Sequence, residues 1–216
     1  MSVPYRIRRS DRARRIRVSV EGNGDVVVVL PRRSPERHAE EAVKQLGPWI
    51  ERRRRAVATA AAEVGRAPGT VPYLGETLTL LPQPGRTRVA RRGDRLLVPD
   101  TGAREALERW YRQRARVEVA PRLDAACARA GKSYTGLTIR AQKTRWASCS
   151  AKGTMSFNWR LLLAPPEILD YVVEHEVAHL TYMDHSPRFW ALLASRAPDW
   201  RGHSEWLRRY GPTLTL

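Results

Sequence analysis

The sequence is short of several things, and each shortage narrows its class. Among 216 residues there are two cysteines, Cys127 and Cys149. They are too few for a disulfide framework and lack the C-x-x-C spacing of a structural zinc site, so both read as free thiols. No apolar run approaches the roughly 18 residues that cross a bilayer. The first residues carry arginines but no h-region of a secretory signal, so a cytoplasmic protein is the expectation. No G-x-x-x-x-G-K-[ST] loop is present to cradle nucleotide phosphates. Lysine is scarce as well, occurring only as Lys44, Lys132, Lys143 and Lys152.

What is abundant is arginine. The formal charge is +17 and the pI about 11.1, which favours an anionic partner such as nucleic acid, nucleotide or an acidic protein. A composition biased toward arginine accounts for the same charge with no ligand at all. The run Arg52–Arg55 illustrates the ambiguity: four consecutive residues point round most of a helix, as a solvated surface does. With 42% hydrophobic residues the chain can bury at least one core and form one large or two small domains.

The pattern along the chain is α+β. Residues 15–21 and 25–30 are β-branched runs around Gly22-Asn23-Gly24, which predicts a hairpin. Ser34-Pro35 predicts a capped helix start, and Gly47-Pro48 separates that helix from a second over residues 49–64. Residues 73–81 and 95–99 read as strands. Residues 103–130 read as a long helix with Gly131 as its stop and Pro121 kinking or splitting it. Residues 137–159 read as strands around Ala151-Lys152-Gly153. The expected division is an N-terminal mixed region, 1–102, and a metal-binding catalytic domain, 103–216.

The chemistry concentrates after Pro165-Pro166. Ile168, Leu169, Val172, Val173, Val177 and Leu180 recur at helical spacing through residues 166–182. On that helix His175 and His179 lie about 40° apart on one face. They can offer two imidazole nitrogens to one ion, with Glu176 beside them as a general base. His185 follows where the helix should end, and Ser186-Pro187 restarts helix, which places His185 in a tight turn. Three histidine ligands leave a fourth position open, as in a catalytic zinc site. His38 and His203 have no such company, though His203 could line the cleft.

Several segments resemble a known family. Arg140, Lys143-Thr144-Arg145-Trp146-Ala147-Ser148-Cys149, Phe157-Asn158-Trp159-Arg160-Leu161, Asp170-Tyr171-Val172-Val173, His175-Glu176-x-x-His179-Leu180 and His185-Ser186-x-x-Phe189-Trp190 are similar to the YgjP-like metal-dependent hydrolases. These are relatives of the SprT-like and Wss-like zincin metallopeptidases. Trp49-Ile50 and Tyr73-Leu74-Gly75-Glu76 extend the resemblance more weakly. It implies a zincin-like domain with a short sheet and an active-site helix. It also implies His175, His179 and His185 as Zn2+ ligands and Glu176 as the catalytic residue; Lys143, Arg145 and Asn158 are taken as the substrate-binding candidates. Ala147 stands where the family has glycine. Cys149 is family-like but reads as packing.

Three functions stay open on this reading. The first is metallopeptidase-like hydrolysis of a peptide or protein, including protein attached to DNA. The second is hydrolysis of nucleoside triphosphates such as UTP to release pyrophosphate. The third is a zinc-containing module that binds nucleic acid, against which Glu176 argues, because a structural site needs no general base. If the substrate is anionic, Lys143 and Arg145 would share one face of a strand running on from Arg140.

Overall fold

The structure is a computed structural model and describes residues 3–142 and 144–216. The chain divides into two compact units, Met1–Arg66 with Arg208–Thr213, and Ala67–Leu207 with Leu214–Leu216. The boundary therefore falls well before the expected 102/103. The reason is packing: Val71, Tyr73, Leu78, Leu96 and Val98, from the strands after residue 67, share one core with Leu107, Tyr111 and Leu123 of the long helix. Among the described residues no helix is long and apolar enough to cross a membrane.

In the first unit β1 (Tyr5–Ser10), β2 (Arg17–Val20) and β3 (Val26–Pro31) form a sheet in the order β1-β3-β2. The expected hairpin is there, with Val20 opposite Val26. Gly24 at φ 84 supplies the turn, because only glycine takes that backbone region freely. Strand β1 was hidden by its arginines; it pairs parallel to β3. Helices α1 (Arg37–Gln45) and α2 (Gly47–Val64) follow. Ser34 does not cap α1, whose N-cap is Glu36 with no side-chain bond. Val26, Val28 and Leu30 pack with Ala39, Val43 and Ile50. On α2 Arg52 and Arg55 are exposed, and Arg54 pairs with Glu51 at 3.4 Å, as a solvated helix face should.

The second unit opens with β4 (Thr70–Tyr73), β5 (Glu76–Gln83), β6 (Ala90–Arg92) and β7 (Arg95–Pro99), in the order β4-β5-β7-β6. The single strand expected over 73–81 is thus two, turned by Leu74 at φ 47 and Gly75 at φ 86. A leucine holds this unfavourable conformation with its N–H donating to the Leu162 carbonyl at 2.8 Å, a tertiary contact that no local signal reveals. Helix α3 (Ala103–Ala130) is one helix with Pro121 inside it, unsplit, and ends at Gly131 in the left-handed region.

Then come β8 (Gly136–Arg140), β9 (Ala147–Cys149) and β10 (Thr154–Asn158), in the order β8-β10-β9. Strand β10 runs parallel to β8 and antiparallel to β9. A short 3₁₀ helix, Trp159–Leu163, leads into α4 (Pro166–His179), α5 (Pro187–Arg196) and α6 (Trp200–Tyr210). The class is α+β. Strand β8 stops at Arg140, so no strand face carries Arg145, and Lys143 lies outside the described residues.

Candidate metal centre

Helix α4 is buried on most of its circumference: Ile168, Leu169, Val172, Val173, Val177 and Ala178 are each under 5% exposed. That anchoring fixes the polar residues between them. After Leu180 the chain turns back, with the Thr181 and Tyr182 N–H groups donating to the Ala178 carbonyl at 3.0 Å each. The Tyr182 carbonyl then lies 3.0 Å from His179 Nδ1. A proton held there leaves Nε2 as the free lone pair, the arrangement expected of a metal-binding imidazole.

His185, in the turn before α5, brings its Nε2 to 3.2 Å from His175 Nε2. Two ligand nitrogens about 2.05 Å from a tetrahedral zinc lie about 3.3 Å apart, so this pair already has the spacing of a shared ion. The candidate ligand atoms of all three histidines lie within 4.8 Å of one another. Burial, with the neighbouring His179 and His185, holds the His175 imidazole down to about 4. Burial lowers His179 as well. A neutral imidazole presents the lone pair that a metal needs, and the donor set fits zinc. Phe189 stacks on His179 at 4.6 Å and Trp190 on His185 at 5.4 Å between ring centroids, which restrains both rings.

Glu176, 5% exposed, projects about 100° round the helix from His175. Its carboxylate accepts a hydrogen bond from the Cys149 backbone N–H, while Oε2 is buried with no partner. Burial pushes its pKa up to about 7, opposed by the Cys149 N–H and by the charge of Arg145. The Cys149 thiol is pushed up to about 11 by burial and then by Glu176. It stays protonated, in keeping with packing and not with a nucleophile.

The three substrate-binding candidates fare differently. Lys143 lies outside the described residues. Arg145 is exposed, with its charge felt at Glu176. Asn158 is 4% exposed and has no face to offer a substrate. Its Nδ2 donates to the Gln142 and Arg145 carbonyls at 2.7 and 3.3 Å, and its Oδ1 accepts from the Arg160 N–H at 3.2 Å. The expected contact is therefore corrected to a positioning one: Asn158 holds the segment that carries Arg145.

Two neighbours complete the surroundings: His203, named above as able to line the cleft, and Tyr171, given there no role of its own. Tyr171 sets its ring 6.0 Å from that of His175 and 5.8 Å from that of His203, and it hydrogen-bonds Ser204. The signal for Tyr171 was its place four residues before His175, on the same helix face. His203 had no spacing to fix its place, because α6 reaches α4 only through tertiary folding, and the structure sets it against Tyr171.

Residues 14–210 match the family model described as YgjP-like, metallopeptidase domain. Among solved structures, the metallopeptidase zymogen of Pyrococcus abyssi abylysin aligns with 42% of this chain and 96% of its own, at 28% identity and a TM-score of 0.36. No curated protein matches the chain.

Proposed function

The chain belongs to the YgjP-like metallopeptidase family, and from that premise we propose that it is a zinc-dependent peptide hydrolase with Glu176 as general base. The observation that carries this reading is the approach of His175 and His185 to 3.2 Å between Nε2 atoms, with the unpartnered Glu176 Oε2 on the same helix. His175, His179 and His185 would hold the ion. A bound zinc supplies Lewis acidity, acidifying water and polarising a carbonyl.

The protein's own part is proton transfer and positioning. Glu176 Oε2 takes the proton of the attacking water and returns it to the amine nitrogen that leaves when the C–N bond breaks. A carboxylate with one oxygen fixed and the other unpartnered can do both. The Cys149 N–H holds the other oxygen, so the side chain keeps its aim.

The sheet edge supports a peptide as the substrate. The Asn158 N–H donates to the Trp146 carbonyl and the Ser150 N–H to the Thr154 carbonyl. Backbone groups of 146, 148 and 150 therefore face β10, and those of 147 and 149 face away from it. Glu176 takes the Cys149 N–H, which leaves the outward groups of Ala147 for an extended peptide beside the base. A side chain projects from the face of a sheet and not its edge, so the methyl group of Ala147 does not block that approach. The nucleotide alternative rests on Arg145, exposed and near Glu176.

The test is to incubate zinc-loaded protein separately with casein and with nucleoside triphosphates, then to strip and restore the metal. New peptide N-termini that vanish with chelator and return with zinc are expected. Pyrophosphate release with no proteolysis would overturn the peptide assignment.

A further inference from the structure

Beside the metal centre, on another face of α4, lies a cavity of about 430 Å³ whose lining includes Arg122, Arg129, Tyr171, Glu174, Arg196 and His203. That volume falls within the roughly 300–1,000 Å³ range of small-ligand sites. Two of its ion pairs are internal: Arg122 with Asp170 at 3.0 Å and Arg129 with Glu174 at 2.6 Å. Other groups are left over. Arg196 Nη1 is buried without a hydrogen bond, and so are Glu174 Oε2 and His203 Nδ1. Glu174 is 7% exposed, and Arg196 makes no ion pair among the described residues.

Polar atoms withdrawn from solvent and left without partners call for an explanation, and three of them gathered on residues that line one cavity point to a ligand. The unmet groups here also specify that ligand. A guanidinium nitrogen asks for an anionic oxygen, and a carboxylate in good geometry with arginine is its strongest common partner. A carboxylate oxygen asks for an N–H donor. Both requirements are met by a peptide residue that carries a carboxylate close to its amide N–H. Tyr171 links the cavity to the metal centre, since it lines the one and its ring lies 6.0 Å from that of His175 in the other.

We propose that this cavity is a carboxylate subsite. Arg196 Nη1 takes the carboxylate of a bound peptide, and Glu174 Oε2 accepts the neighbouring amide N–H. Whether the carboxylate is a chain terminus or an acidic side chain is a question of source; the recognition is the same. As a substrate subsite the assignment rests on the peptide-hydrolase reading, but its binding chemistry does not.

The test therefore reads binding with hydrolysis disabled. In zinc-loaded Glu176→Gln protein, calorimetry would compare acetyl-Gly-Ala with a free terminus, the same peptide as its terminal amide, and acetyl-Asp-amide. At least one of the two acids should bind tighter than the neutral amide by roughly tenfold or more, the worth of a charge-assisted hydrogen bond. That preference should disappear on adding Arg196→Gln and return in part with Arg196→Lys, with zinc content and circular dichroism unchanged. Preference for acetyl-Gly-Ala alone assigns a chain terminus, and for acetyl-Asp-amide alone an acidic side chain. Equal binding of all three peptides, or a preference that survives Arg196→Gln in folded protein, overturns the subsite. A failed proteolysis assay alongside a carboxylate preference overturns only the peptidase reading.

Discussion

Replacing Glu176 with glutamine should stabilise the metal-stripped protein at alkaline pH and leave it unchanged in acid. Burial raises the folded-state pKa of Glu176 from 4.5 to about 7. Between those values the folded protein keeps a proton that the unfolded chain releases, so stability falls as pH rises through the window and levels off above it. The gap of about 2.5 pH units, at about 1.4 kcal/mol each, amounts to a penalty on the order of 3 kcal/mol above neutrality. Glutamine has the same shape, can accept the Cys149 N–H, and never ionises. Urea unfolding of chelator-treated parent and variant at about pH 4 and about pH 8 checks this. His175 shifts in the opposite direction but is common to both proteins and cancels in the difference. Equal stabilities at alkaline pH, or the same difference at both pH values, would refute burial as the cause.

Three further outcomes follow from the geometry. His185→Ala should drop zinc well below one per chain by metal analysis, because two imidazoles on one helix only half-build a tetrahedral site; full occupancy would show the third ligand to be misassigned. Gly75→Ala should lower stability by about 1–2 kcal/mol, since its φ is 86 and a Cβ there would lie 3.3 Å from Pro166 Cδ at the start of α4. An unchanged melting temperature would contradict that strain. Asn158→Ala should cost about 1–3 kcal/mol through the carbonyls it leaves unbonded and speed proteolysis within residues 141–146. Resistance equal to wild type would mean that Asn158 does not hold the segment.

The helix of the candidate metal centre was legible because its information is local: His175 and His179 sit at i and i+4, and Ser186-Pro187 marks the restart that confines His185 to a turn. The hairpin at Gly22-Asn23-Gly24 and the stop at Gly131 were legible for the same reason. What the sequence hid is non-local. Strand β1 exists because Tyr5 and Ile7 pack on a sheet whose central strand lies about twenty residues later. The turn at Leu74 depends on Leu162. Asn158 was a substrate-binding candidate within a family-like segment, and the hydrogen bonds that give it a positioning role run back across the chain to Gln142 and Arg145. The leftover charges around Arg196 arise from α3, α4 and α5 converging, which no sequence spacing records.

If Glu176 moves the proton while His175, His179 and His185 hold the metal, paired kinetics and metal analysis separate the two roles. Peptide-bond cleavage and zinc content would be measured on the same samples of zinc-loaded wild type and Glu176→Gln. Zinc near one per chain is expected in both, with a rate at least about a hundredfold lower in the variant, the usual scale of general-base catalysis. A Glu176→Gln protein that keeps its zinc and cleaves at the wild-type rate would contradict that role of Glu176.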